Sequence, residues 1–337
     1  MRARDFGRSL AFVLALGGCH DKASAPGSGA TPSSGSTALG AASSANGSPS
    51  ERKLVIGMSQ CNLGEPWRVQ MNADLAAAAK KHPNVTLVFK DAQNDSLRQR
   101  AQVEELAAAH IDVLVISPKE AAPLTKPVAE VFRQKIPVIV LDRAVEGDEF
   151  TAFIGADNQR IGREAGKLVQ KLAGEQANVV ELEGLMTSTP GQDRHKGFRD
   201  GLELAQHPGL KVVFEADMAW LEPNARKEME SALAAHKKID LVYAHNDPGA
   251  HGAYLAAKAA GREHEMKFVG IDALPQEGVR YVKDGILDAT FAYPTGGAEA
   301  IDMALELVAG KTVPHHVTLG TRLYTKANVD QGGEAIQ

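Results

Sequence analysis

The run PVIVLDRAV, residues 137–145, closes four consecutive apolar residues with an acid and a base in direct succession, Asp142 and Arg143. An ionised aspartate accepts hydrogen bonds at both oxygens, and a guanidinium donates through a rigid planar fork. Other apolar runs end the same way. Ser59 and Gln60 follow VIGM, and Ser117 follows VLVI. MTSTPGQDR follows VVELEG and reaches Arg194, while His245, Asn246 and Asp247 follow LVYA. Asp272 follows KFVGI, Tyr293 follows DATFA, and Trp67 is one of only two tryptophans.

One such end is no evidence, because Ser, Asn and Asp also cap helices and open turns. Ser117 and Asp247 read best as caps. Taken alone, Asp142–Arg143 reads equally well as a structural ion pair at a domain seam. The full set has a chemistry of its own. Carboxylate, guanidinium and amide groups divide the hydroxyls of a polyol between acceptors and donors, and charged partners make the stronger bonds. An indole face packs against the apolar side of a sugar ring. No group in the set needs to change covalent state.

Such residues must be carried to one edge. From Lys53 onward, strand-like runs alternate with helix-like stretches: KLVIGM, VTLVF, IDVLVIS and PVIVL are separated by WRVQMNADLAAAAKKH, LRQRAQVEELAAAH and LTKPVAEVFRQK. This is the pattern of βαβ units in a parallel sheet with helices on both faces. Right-handed crossovers then give a doubly wound order. The pattern restarts at FIGADNQRIGREAGKLVQKLAG and runs through NVVELEG, GQDRHKGFRDGLELAQ, LKVVFEA, DLVYAHN, MKFVGID and DATFAY. Pro223 suits the first turn of the next helix. The expected fold class is α/β with two doubly wound lobes, whose polar strand ends meet where open parallel sheets bind ligands. The terminal HHVTLGTRLYT alternates like a strand without a following helix and is expected to cross back between the lobes.

The chain has 337 residues, 44% of them hydrophobic, a net charge of −5 and a pI near 6.1, so it lacks the basic field that nucleic acid demands. Arg2, Arg4 and Arg8 precede the short apolar run LAFVLALGG, which reads as a signal segment and is too short for a membrane span. LGGC, ending at Cys19, resembles the lipobox of bacterial lipoproteins, in which the cysteine is lipidated; the plainer alternative is a cleaved signal with a chance cysteine. His20 rather than Asp follows, so the common inner-membrane retention signal is absent. Residues 20–52 are Ser, Gly, Ala and Pro and read as a tether. Cys61 is expected to be a small buried apolar residue. His195 reads as a lone surface histidine with no ligand at i+4, and no cluster has metal spacing. Asp142, Asp272 and Glu65 formally offer a glycosidase its acids, but neighbouring arginines depress acid pKa values and suit binding better.

The body also resembles a known family. VIGMSQ running into PWR, LDR at 141–143, GADN at 155–158, DRHKGF at 193–198, VYAHND at 242–247 and GID at 270–272 occur in order and at family spacing. They resemble the sugar-binding proteins of bacterial ABC transporters, in the ribose-binding-like group of type I periplasmic binding proteins, and within it the galactofuranose-binding proteins. The resemblance implies a first lobe of residues 53–156 plus 294–319 and a second of 157–293 plus 320–330. Three crossings are placed near Ala156, Tyr293 and Gly320. It implies sugar contacts from Gly64, Glu65, Pro66, Trp67 and Arg68, and from Asp142, Arg143, Arg194, Asn246 and Asp272. Tyr293 matches a contacting position where the family usually carries an amide or an acid. Met218 stands where many members have Phe, with Trp220 close by. The implied protein is a monomeric binder and not an enzyme, with no cofactor and no metal. It takes a pentose or hexose, a furanose form included, and passes it to a membrane permease. The alternative partner is a sensor kinase or chemoreceptor.

Overall fold

The structure, a computed structural model, describes residues 52–336. The expected signal segment, Cys19 and the tether up to residue 51 lie outside the described residues.

The first sheet has strands β1 (Leu54–Gln60), β2 (Val85–Asp91), β3 (Val113–Ser117), β4 (Val138–Leu141), β5 (Ala152–Ala156) and β11 (His316–Leu319). Their order is β11-β5-β4-β3-β1-β2, and every pairing is parallel. The second sheet has β6 (Ala177–Glu183), β7 (Leu210–Asp217), β8 (Leu241–Ala244), β9 (Lys267–Asp272), β10 (Ala289–Ala292), β12 (Arg322–Thr325) and β13 (Glu334–Ala335). Their order is β13-β12-β10-β9-β8-β6-β7, and only β12 and β13 run antiparallel to their neighbours. The antiparallel edge reaches Ala335, past the end at 330 that the resemblance implied.

Both sheets are buried on both faces, as parallel sheets require. Alternation along each strand makes the division. In the first sheet, Ile56, Met58, Val113, Val115, Ile139 and Leu141 pack with Met71 and Leu75 of α1 (Pro66–Ala79) and with Ile301 of α9 (Gly297–Val308). The intervening Leu114, Ile116, Val138 and Val140 face Leu106 of α2 (Ser96–Ala108) and Leu124 and Val128 of α3 (Ala121–Arg133). The second sheet repeats the arrangement. Val179, Leu241, Val269 and Phe291 face α4 (Asn158–Ala173) and α5 (Thr189–Leu202), while Val180, Leu182, Val242 and Phe268 face α6 (Glu222–Ala235), α7 (Asp247–Ala259) and α8 (Gly278–Asp284). The face carrying α1 and α9 joins the face carrying α4 and α5 in one apolar cluster. Cys61 is buried and free.

The chain passes between the sheets three times: from β5 into α4, from β10 into α9, and from β11 into β12. The Thr321 hydroxyl donates to the Ala292 carbonyl at 2.5 Å and ties the last two crossings together.

Candidate ligand-binding site

The strand ends open onto one cavity between the lobes. Glu65, Trp67, Arg68 and Asp142 line it from the first lobe, and Pro190, Arg194, Trp220, Asn246 and Asp272 from the second, with Tyr293 at the crossing.

The first-lobe half is a charged knot. Asp142 follows β4 with φ 69°, a left-handed conformation that aspartate tolerates better than most residues. This bend turns its carboxylate back under the strand ends. Oδ2 accepts from Arg68 Nη1 at 2.6 Å and from the Ser117 hydroxyl at 3.1 Å, and Oδ1 accepts from the Tyr293 hydroxyl at 2.7 Å. Burial alone would raise the Asp142 pKa, but the charges of Arg68 and Arg143 and the Tyr293 bond hold it below the usual carboxylate range. Arg68 feels the reverse balance: burial lowers its pKa, and Asp142 and Glu65 more than restore it. Ser117, expected to be a cap, is instead the buried hydroxyl between Arg68 and Asp142.

Arg143 is almost fully buried. Its Nη1 donates to the Lys119 carbonyl at 3.1 Å, and its guanidinium lies 5.4 Å from the centre of the Trp220 ring. Asp142 and Glu65 stand 3.8 and 4.0 Å away, too far for strong hydrogen bonds. Its Nε and Nη2, like Arg68 Nε and Trp220 Nε1, are buried donors without a protein partner. Leaving such groups bare is expensive, so they call for acceptors that the protein does not supply.

The second-lobe half depends on glycine. A Cβ on Gly197 would come 2.0 Å from the Gln159 carbonyl, and one on Gly162 would come 2.3 Å from the Arg194 carbonyl. Bare backbone at both positions lets α4 and α5 close to contact. That approach sets Arg194 Nε against Asn158 Oδ1 at 2.8 Å. Asn158 Nδ2 in turn donates to the Tyr293 hydroxyl at 3.1 Å. Arg194 lies over both the Tyr293 ring, at 4.4 Å, and the Trp220 ring, at 5.3 Å. Asn246 caps α7 by accepting from the Gly249 N–H at 2.9 Å, and its amide nitrogen donates to the Trp220 carbonyl at 2.9 Å. Asp272 ends β9 at φ 133°, and its carboxylate accepts no hydrogen bond among the described residues. Burial raises its pKa well above the ordinary value, and Arg194 only partly offsets this.

Eight of the sequence-expected contacts line the cavity: Glu65, Trp67, Arg68, Asp142, Arg194, Asn246, Asp272 and Tyr293. Gly64, Pro66 and Arg143 do not. Gly64 donates its N–H to Asn62 Oδ1 in the loop ahead of α1, and Pro66 is the first residue of that helix, so both shape the turn that delivers Trp67 and Arg68. Pro190 and Trp220 were not among the expected contacts. Trp220 follows Ala219 in left-handed backbone, φ 69° and 52°, which no periodicity signals.

His195 is not the lone surface histidine expected. Its Nδ1 lies 3.1 Å from Glu181 and 2.8 Å from Glu183, two residues of β6 that share a face. The three ligating atoms fall within 4.8 Å of one another, a cluster that sequence spacing could not show because strand and helix contribute separately. Arg199 and His245 also reach Glu181, and hydrogen bonds from His195 and His245 overcome its burial and hold its pKa at about 2. His195 is raised in return. Arg199 also brings a guanidinium to this cluster, against Glu181 and Glu215.

Beyond the cavity, the lobes touch directly at its rim. The Thr187 hydroxyl donates to Glu120 at 2.9 Å, the Ala121 N–H reaches the Thr187 carbonyl at 3.4 Å, and the Ala144 N–H donates to the Thr189 hydroxyl at 2.9 Å.

Residues 56–312 match the periplasmic binding protein domain. The chain belongs to the periplasmic binding protein family. Among its relatives, the ribose import binding protein of Salmonella typhimurium is 31% identical over 86% of this chain and 95% of its own length. The galactofuranose-binding protein of Escherichia coli is 28% identical over 79% and 86%. Among solved structures, the fructose-binding periplasmic domain of a hybrid two-component system is 41% identical, with TM-score 0.80, covering 83% of this chain and 93% of that one. This periplasmic binding protein thus has the type I fold, with its cavity between two lobes, and the family places it outside the cytoplasmic membrane.

Proposed function

We propose that this periplasmic binding protein captures one monosaccharide, a pentose or hexose, in the cleft and presents it to an ABC transporter permease. The observation that carries the reading is the set of unfilled valences around the cavity: bare buried donors on Arg68 and Trp220, and an Asp272 carboxylate with no protein donor. In the lining, Glu65, Asp142 and Asp272 face Arg68 and Arg194, so there is no excess of cations to attract a sugar acid or phosphate, and a neutral polyol is favoured. Trp67 and Trp220 supply apolar faces. The relatives named for ribose and galactofuranose support the substrate class. The protein acts by binding and hinge closure, without chemistry and without cofactor or metal. Residues 53–156 plus 294–319 form one moving body and 157–293 with the C-terminal strands the other. Cys19 carries a lipid that holds a monomeric body near the membrane through residues 20–52.

A second reading has one observation in its favour. The fructose-binding domain at 41% identity belongs to a two-component system, so closure here would be read by a sensor kinase or chemoreceptor rather than a permease. Calorimetric titration with D-fructose, D-ribose, D-galactose, D-xylose, D-glucose and myo-inositol tests the shared step. One sugar bound and recovered unchanged, with its heat abolished in Asp142→Ala, is the expected result. No heat with a folded protein would refute it.

A further inference from the structure

We propose that Asp247 is the positioning residue for Asp272; the inference rests on the reading of Asp272 as a sugar contact. Asp247 is the first residue of α7 and is fully buried, yet it does not cap its own helix. Asn246 does that. The Asp247 carboxylate points instead to the neighbouring strands: Oδ2 accepts from the Ala273 N–H at 2.7 Å, and Oδ1 accepts from the Thr290 hydroxyl at 2.6 Å. Ala273 immediately follows Asp272, and Thr290 lies in β10, paired with Gly270 of β9.

Two further features show that this carboxylate is built into the strand end. Room for it has been cleared by glycine: a Cβ on Gly270 would stand 2.3 Å from Oδ1, and one on Gly278 would stand 1.8 Å from Oδ2. The backbone it grips is also unusual. Asp272 and Ala273 have φ 133° and 51°, conformations that L-residues keep only where their surroundings over-determine them. With no protein hydrogen bond on its own carboxylate, Asp272 has its direction set by this backbone. Asp247 is what fixes it.

Two donors converge on Asp247, so the proposal separates hydrogen bonding from bulk. Asparagine keeps one oxygen for Ala273, and its amide can donate to a reoriented Thr290 hydroxyl. Alanine keeps neither. The test uses the full-length protein with Asp247→Ala, Asp247→Asn and Thr290→Val. Hydrogen exchange at the Ala273 amide is read without ligand, and affinity is read with D-fructose, D-ribose, D-galactose and myo-inositol. Asp247→Ala should speed Ala273 exchange and weaken sugar binding, each by about ten-fold or more, as expected for an orphaned buried donor. Asp247→Asn should stay within about three-fold of wild type, and Thr290→Val should fall between. Wild-type exchange and affinity in a folded Asp247→Ala protein would overturn the proposal, as would an asparagine variant as damaged as alanine. Should Asp247→Ala fail to fold, wild-type values in Thr290→Val would overturn it equally. Absence of sugar binding by the wild type would count against the proposed function alone, and Ala273 exchange would then decide the positioning role.

Discussion

The Tyr293 hydroxyl donates to Oδ1 of Asp142 across 2.7 Å, and this bond joins the second chain crossing to the end of β4. The same hydroxyl accepts from Asn158 at the first crossing, and Asn158 accepts from Arg194. A line of hydrogen bonds thus runs from Arg68 in one lobe to Arg194 in the other, with its middle members at two crossings. Tyr293→Phe keeps the ring against Trp67 but breaks the line. Affinity for the sugar should fall by about five- to fifty-fold and the melting temperature should drop with it, because a buried acceptor and a buried donor each lose a partner. Titration calorimetry beside a melting curve checks both parts.

Gly184 bears on the indole in the cleft. A Cβ there would come 2.2 Å from the Trp220 ring, so Gly184→Ala must displace that side chain. The variant is expected to shift tryptophan fluorescence without ligand and to lose about ten-fold or more in affinity, within the range for disturbing a packed aromatic anchor. An unchanged emission spectrum would contradict the packing.

The contact of α4 with α5 gives a stability prediction. Gly201→Ala places a Cβ 2.1 Å from the Arg163 carbonyl, on backbone that cannot rotate away. Overpacking of this kind costs about 1–3 kcal/mol and sometimes more. Denaturant unfolding should show that loss, and sugar affinity should fall too as Arg194 moves away from Asn158.

The buried acids make stability pH-dependent in an unusual direction. Asp247 is pushed up to about 7, first by burial and further by Glu277, although its bonds to Thr290 and Ala273 oppose the rise. In the unfolded chain an aspartate titrates near 3.9. Between the two values the folded protein holds a proton that the unfolded chain has released, so this group's stability is full below about 4 and is lost as pH rises through 7. Asp247→Asn removes that dependence. The melting temperature of the variant minus that of wild type should therefore increase from pH 5 to pH 8, by about 3 °C or more. A constant difference would refute the shift.

Much of this architecture was legible in the sequence for a simple reason. In strands buried on both faces, such as VLVI and VIVL, hydrophobicity ends abruptly at the strand's carboxyl end, and the next polar residue lands at the sheet edge. Asp142, Asn246, Asp272 and Tyr293 stood out in that way, whereas Arg194 lies within α5, beyond the segment that follows β6. What stayed hidden depends on partners far apart in the chain. Ser117 and Asp247 look like caps until Arg68, Ala273 and Thr290 are brought beside them. Trp220 reaches the cavity only through two consecutive left-handed residues. Gly64 and Pro66 were implied by the family resemblance alone, and here they shape the turn ahead of α1. Glu181, Glu183 and His195 meet because a strand face and a helix face oppose each other, which spacing along the chain cannot record.

The rim contacts among Glu120, Ala121, Ala144, Thr187 and Thr189 involve no ligand atom. They favour the shut form in an empty molecule as much as in a full one. Apparent affinity equals intrinsic affinity scaled by the fraction of molecules already competent. Under the proposed function, each of these bonds would adjust two properties together: the lowest solute level the protein registers, and the background a downstream partner receives when no solute is present. A threonine at the lip, outside the residues that line the cavity, would set the trade between sensitivity and silence.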